Sequence, residues 1–130
     1  MSSILIVDDD ADIRLLLRLE LSAEGHHIAE AVNGRDGLDA IAADQPDLVL
    51  LDIMMPQMDG WEVLKLLRVD EETAHIPVAM LSARTEAKDR VQGLQEGAID
   101  YICKPFSLAE LLVKIETIFG AAGDAAKDRR

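Results

Sequence analysis

Four places in this 130-residue sequence carry side chains that could do chemistry together. They are the acidic run Asp8-Asp9-Asp10, Asp52 at the close of an apolar stretch, Ser82, and Lys104. Each alone is an ordinary loop or turn residue, but as a set they share a chemistry. Carboxylates brought close repel one another and call for a cation. All-oxygen ligation selects Mg²⁺ or Mn²⁺. His26, His27 and His75 lack ligand partners at useful spacing, and Cys103 is the sole cysteine. An incomplete carboxylate set leaves positions for waters and for a phosphoryl oxygen. A carboxylate can itself be the nucleophile toward phosphorus, giving an aspartyl phosphate. The group in transfer spreads charge over its equatorial oxygens, which a metal, a lysine point charge and a hydroxyl donor stabilise. Lys104 and Ser82 offer the last two.

Whether these residues meet depends on the elements between them. Ile4–Val7 is a short branched-rich run and reads as a buried strand. Ala11–Ala23 has helical spacing at Ile13, Leu16, Leu17 and Leu21, with Asp10 as N-cap and Gly25 as stop. His27–Ala31 is a weaker strand, and Asn33 caps a helix carrying Leu38, Ile41 and Ala42 that closes before Pro46. Leu48–Leu51 is an unbroken apolar strand ending on Asp52. Asp59 with Glu62 resembles a capping box opening a helix that buries Val63, Leu64 and Leu67. Pro77–Leu81 is the fourth strand, Glu86–Glu96 a helix anchored by Val91 and Leu94, and Ile99–Cys103 the fifth strand. Ser107 and Glu110 box the start of a last helix carrying Leu108, Leu111, Leu112, Ile115 and Ile118. Alternating strands and helices predict an α/β fold: a parallel sheet with right-handed crossovers and helices on both faces. Chemistry in such sheets sits at the carboxyl ends of the strands, which is where Asp8, Asp9, Asp52, Ser82 and Lys104 fall.

Composition narrows the class. A net charge of −12 argues against direct nucleic-acid binding by this surface. One cysteine excludes an intramolecular disulfide and suits a reducing compartment. No apolar run approaches the ~20 residues of a membrane span, and the short apolar start runs straight into acids rather than forming a secretory signal. These features predict a cytoplasmic domain with no membrane partner. The apolar pattern ends at residue 119, so the expected domain is 1–119, with 120–130 a flexible tail or linker start.

The runs Ile4-Leu5-Ile6-Val7-Asp8-Asp9-Asp10, Leu50-Leu51-Asp52-Ile53-Met54-Met55-Pro56 with Asp59-Gly60, Leu81-Ser82-Ala83, and Gly97-Ala98-Ile99-Asp100-Tyr101 with Lys104-Pro105-Phe106 closely resemble a response-regulator receiver domain of two-component signalling. The motifs follow that family's order and spacing across residues 3–119. The resemblance implies a five-stranded, doubly wound (flavodoxin-like) parallel sheet of order 2-1-3-4-5 flanked by five helices. It implies Asp52 as phosphoacceptor, Mg²⁺ (or Mn²⁺) held by Asp8, Asp9, Asp52 and the Met54 carbonyl, and Lys104 paired with the phosphoryl group. It also implies a cis Lys104–Pro105 bond, Ser82 as switch hydroxyl and Tyr101 as switch aromatic. Met54 and Arg84 flank the pocket and are expected to tune the phosphoryl lifetime.

By the same resemblance, the donor is a sensor histidine kinase or histidine phosphotransfer protein. The output is a changed surface of the fourth helix, fifth strand and fifth helix that controls a target protein or output domain. The chain catalyses only its own phosphorylation and dephosphorylation. Arg90, Asp100, Glu110 and Lys114 stand where one subfamily of transcription-factor receivers forms cross-dimer ion pairs, so a monomer that pairs on phosphorylation is the expectation. Ile99, where that subfamily often has an acid, weakens the match. The alternative is the N-terminal receiver of a DNA-binding transcription regulator. An aspartyl phosphatase of the haloacid-dehalogenase type would want a second Asp at Met54, and a nucleotide-binding domain would want a glycine-rich loop that is missing.

Overall fold

The computed structural model describes residues 2–82, 95, 97–104 and 106–128, with side chains described as far as Gly120. The elements are β1 (Ser3–Val7), α1 (Ala11–Ala23), β2 (His27–Ala31), α2 (Gly34–Ala43), β3 (Leu48–Asp52), α3 (Gly60–Val69), β4 (Val78–Ser82), β5 (Asp100–Cys103) and α4 (Leu108–Asp128). The helix expected over Glu86–Glu96 lies outside the described residues apart from Gln95, as do Arg84, Arg90 and Pro105.

The strands form one five-stranded sheet in the order β2-β1-β3-β4-β5, with every neighbouring pair parallel. Side chains alternate across the pleat, so the continuous apolar strands feed two cores. Leu5, Val7, Val49, Leu51, Val78 and Met80 pack with Ile41 of α2 and Val63, Leu64 and Leu67 of α3. Ile4, Ile6, Leu48, Leu50, Ala79 and Leu81 pack with Leu17 and Leu21 of α1 and Leu111, Ile115 and Ile118 of α4. Each fully buried Leu or Ile contributes about 1.5–3 kcal/mol, so β1, β3 and β4 form a rigid platform that fixes the strand ends.

The caps fall where the sequence put them. Asp10 accepts from the backbone N–H of Asp12 and Ile13 at 2.9 and 3.4 Å, and Asn33 from Asp36 at 2.7 Å. Asp59 accepts from Glu62 at 3.0 Å, and the Ser107 hydroxyl from Glu110 at 3.4 Å. Gly25 takes the left-handed φ of +93° that ends α1. Two apolar residues assigned to helix faces do not pack as expected. Leu16 is 38% exposed, because the buried line of α1 runs through Leu17 and Leu21 and turns Leu16 about 100° away. Ala42 is exposed, and Gly37 takes the inner face of α2, where a Cβ would press on Val7.

Candidate functional site

The pocket is built from strand ends. β1 stops at Val7, and the chain turns so that Asp8 is fully buried while Asp9 points outward. The Asp8 N–H donates to the Ala31 carbonyl at 3.2 Å, tying this turn to β2. β3 ends on Asp52, 5% exposed, and its register pairs Asp52 with Leu81. β4 ends one residue later on fully buried Ser82, whose carbonyl accepts from the Lys104 N–H at 2.7 Å. That bond carries the chain past the end of β5 and brings the Lys104 side chain over the pocket.

The geometry collects four of the expected residues directly. Lys104 Nζ lies 2.8 Å from Asp8 Oδ2 and 3.4 Å from Asp52 Oδ1. Asp8, Asp9 and Asp52 each offer a carboxylate oxygen within 4.8 Å of the others. Ligand oxygens of one octahedral ion at about 2.1 Å stand roughly 3–4 Å apart. The oxygen-only set therefore fits a hard divalent cation. Met54 follows on the exposed β3–α3 loop, with a backbone hydrogen bond to the Asp52 carboxylate.

The electrostatics follow from burial. Desolvation, with the neighbouring Asp8 charge, raises the Asp52 pKa from 3.8 to about 6, against the pull of Lys104 and the Met54 N–H. Burial by itself would lower Lys104, but its bond to Asp8 and the charges of Asp8 and Asp52 outweigh that and hold it above the ordinary lysine range. The pocket thus carries a strong unmet demand for positive charge.

Tyr101 of β5 is 2% exposed and packs in the core shared with α2 and α3, at the register position of Met80. Asp100 and Lys114, expected on a dimer face, pair with each other within the chain at 3.4 Å, and Glu110 is exposed. Trp61 and Cys103 are partly buried packing residues.

Two further residues shape the site: Arg14, which the sequence reading passed over, and Gly60, which it quoted within a motif without a role. Arg14 Nη1 donates to the Asp8 carbonyl at 2.6 Å. The signal was a cation in the first turns of a helix, where the dipole disfavours it, one helical turn after the acidic run Asp8–Asp10. Gly60 opens α3 against the backbone of Asp52 and Ile53, and a Cβ there would overlap the Asp52 carbonyl oxygen. The Gly60 N–H donates to the Ile53 carbonyl at 2.8 Å, so the helix start and the Asp52 strand end share one contact.

A doubly wound sheet with an acidic, lysine-bridged pocket at its switch point places the chain among the open α/β folds that carry their site at the carboxyl edge of the sheet. Residues 4–116 match the response regulator receiver domain, and the chain belongs to that family. It is 46% identical over 115 residues to the "Response regulator MprA" of Mycolicibacterium vanbaalenii, covering 88% of this chain and 49% of that protein. It is 42% identical over 118 residues to the "DNA-binding dual master transcriptional regulator RpaA" of Synechocystis, covering 91% and 49%. The chain thus spans about half the length of these relatives. Among solved structures, the Francisella response regulator 1452 receiver domain superposes with a TM-score of 0.87 at 30% identity, covering 94% of this chain and 99% of that one. The Vibrio cholerae chemotaxis protein CheY4 gives 0.85 at 29%, covering 91% and 98%. The chain is a two-component response-regulator receiver, which removes the phosphatase and nucleotide-binding readings.

Proposed function

We propose that Asp52 accepts a phosphoryl group from a phosphohistidine on a sensor kinase or phosphotransfer protein. The observation that carries this is the Lys104 bridge between Asp8 and Asp52 in a pocket whose third carboxylate, Asp9, opens to solvent. An Asp52 oxygen attacks phosphorus, the nitrogen–phosphorus bond breaks, and its electron pair returns to the donor imidazole. Mg²⁺ would be held by Asp8, Asp9, Asp52 and the Met54 carbonyl, and would supply charge for the phosphoryl oxygens. Lys104 pairs with the same oxygens. Release is the reverse demand, attack of water on the aspartyl phosphate, so the chain catalyses both steps on itself.

Ser82 and Tyr101 are the proposed readout. Ser82 ends the strand beside Asp52 and offers a hydroxyl to a phosphoryl oxygen. Tyr101 in its inward packing is one of two arrangements whose balance the new charge shifts. The changed surface includes β5 and α4 and acts on a target protein or output domain. A receiver of residues 1–119 followed by a linker fits the end of the apolar pattern. The α4 backbone itself continues to Asp128. A cytoplasmic setting is proposed from membership of the response-regulator family; among the described residues no helix is long and apolar enough to cross a membrane. A second reading, the receiver of a DNA-binding regulator, is favoured by the similarity to RpaA over half of that protein's length.

Incubation with acetyl phosphate and MgCl₂ should give base- and hydroxylamine-labile phosphate on the wild-type chain and none on Asp52→Asn. Undiminished labelling of Asp52→Asn refutes the assignment. Light scattering with beryllofluoride tests pairing through Glu110 and its neighbours, and an unchanged monomer mass removes that part.

A further inference from the structure

Arg14 makes two contacts that the phosphoryl chemistry leaves unused. Its Nη1 donates to the Asp8 carbonyl at 2.6 Å, and its Nε stands 3.4 Å from Glu30 Oε1 on β2. Glu30 in turn pairs with Arg18 at 3.2 Å, one helical turn further along α1. The Arg14 side chain is 14% exposed, whereas Arg18 is 48% exposed. Arg14 is therefore the enclosed member of the network and Arg18 the outer one.

The carbonyl that Arg14 holds belongs to the peptide joining Asp8 to Asp9. That unit is planar, so fixing its oxygen fixes the plane from which the Asp9 side chain departs. Asp8 itself is already fixed from other directions. Its Oδ1 accepts from the Asp10 N–H at 2.9 Å, and its Oδ2 meets Lys104 at 2.8 Å. Asp9 is exposed and depends on the backbone for its aim. A bare cation behind a metal site would weaken binding by repulsion, but Glu30 offsets the Arg14 charge, leaving its hydrogen-bond geometry as the main effect. The fork of a guanidinium satisfies the carbonyl and Glu30 at once, which a lysine ammonium does less well.

We propose that Arg14 is a positioning residue that aims the Asp8–Asp9 carboxylates for a divalent cation, with Glu30 as its counter-charge. This rests on the Mg²⁺ reading of the pocket. Outer partners of metal ligands typically change affinity 10–100-fold. Acting through one backbone carbonyl, Arg14 belongs at the lower end, about 10-fold.

The test is an MgCl₂ titration of the full chain followed by backbone amide NMR. Arg14→Gln should raise the Mg²⁺ Kd by about 10-fold and shift the Asp9 amide resonance even without metal. Arg18→Gln, which leaves both the Asp8 carbonyl bond and the Glu30 counter-charge in place, should stay within about twofold of wild type, as surface ion pairs do, whereas Glu30→Gln, which uncovers the Arg14 charge behind the site, should weaken Mg²⁺ binding more than Arg18→Gln does. An unchanged Kd in Arg14→Gln overturns the proposal, as does an equal loss in Arg18→Gln. Should Arg14→Gln not fold, Arg14→Lys decides: about threefold weaker binding is expected, and wild-type affinity overturns the role. A wild-type chain that bound no Mg²⁺ would remove the metal reading, and this proposal with it.

Discussion

Replacing Asp52 by Asn should stabilise the metal-free protein, and the gain should depend on pH. The native pocket raises the Asp52 pKa from 3.8 to about 6, first through burial and then through the Asp8 charge. Each tenfold change in proton affinity is worth about 1.4 kcal/mol, which caps the effect at about 3 kcal/mol. The open mouth at Asp9 and Met54 admits solvent screening, so about 1–2 kcal/mol is the working figure. The amide of the Asp52→Asn variant loses the charge pairing that Asp52 makes with Lys104 at 3.4 Å, but that lysine keeps Asp8 at 2.8 Å. A carboxylate that holds its proton more tightly when folded gives stability that is full below about pH 4 and lost as pH rises through about 6. Wild type is therefore at its disadvantage at pH 8, and Asp52→Asn should melt about 4–8 °C higher there in EDTA. Most of that difference should vanish by pH 4. Thermal unfolding by circular dichroism at pH 4, 6 and 8 measures it. A mutant less stable than wild type at pH 8, or a gain that ignores pH, would refute the reasoning. Saturating MgCl₂ should narrow the gap, because the ion binds the native wild-type pocket and a neutral amide is a poorer ligand than the carboxylate it replaces.

Lys104→Met leaves Asp8 and Asp52 facing each other without their shared cation, so it should cost about 2–4 kcal/mol at pH 8. It should raise the Asp52 pKa further, with urea unfolding showing recovery as the pH falls toward 5; a pH-independent loss would count against the ion-pair account. Gly60→Ala should cost about 2–3 kcal/mol, since the new Cβ would overlap the Asp52 carbonyl oxygen. It should also slow labelling from acetyl phosphate by displacing the Asp52 strand end. Equal labelling rates at equal folded fraction would show that the contact serves packing alone.

The alternation of short apolar runs with helical spacing was enough to predict the parallel sheet, because strands buried on both faces must be continuously apolar. Polar residues that close such runs must then lie at the sheet's carboxyl edge, and that reasoning reached Asp8, Asp9, Asp52, Ser82 and Lys104. Helix caps were legible because they are local: Asp10, Asn33, Asp59 and Ser107 bond within three residues of themselves.

Rotation and long-range contact were not legible. Spacing allows Leu16 or Leu17 to face the core of α1, and only the sheet beneath selects Leu17 and Leu21. The Lys104–Asp8 pair spans 96 residues, and it is the burial imposed by the fold, with the Asp8 charge beside it, that raises the Asp52 pKa against the pull of Lys104. Gly60 reads as a turn residue until the helix start is seen resting on the Asp52 carbonyl. Arg14 reads as helix charge until the first turn folds back over Asp8. The sequence alone determined which side chains reach the pocket, because strand ends and caps are set by local chemistry. Tertiary structure decided their charge states and their supports, because desolvation and cross-strand hydrogen bonds exist only once distant segments are packed together.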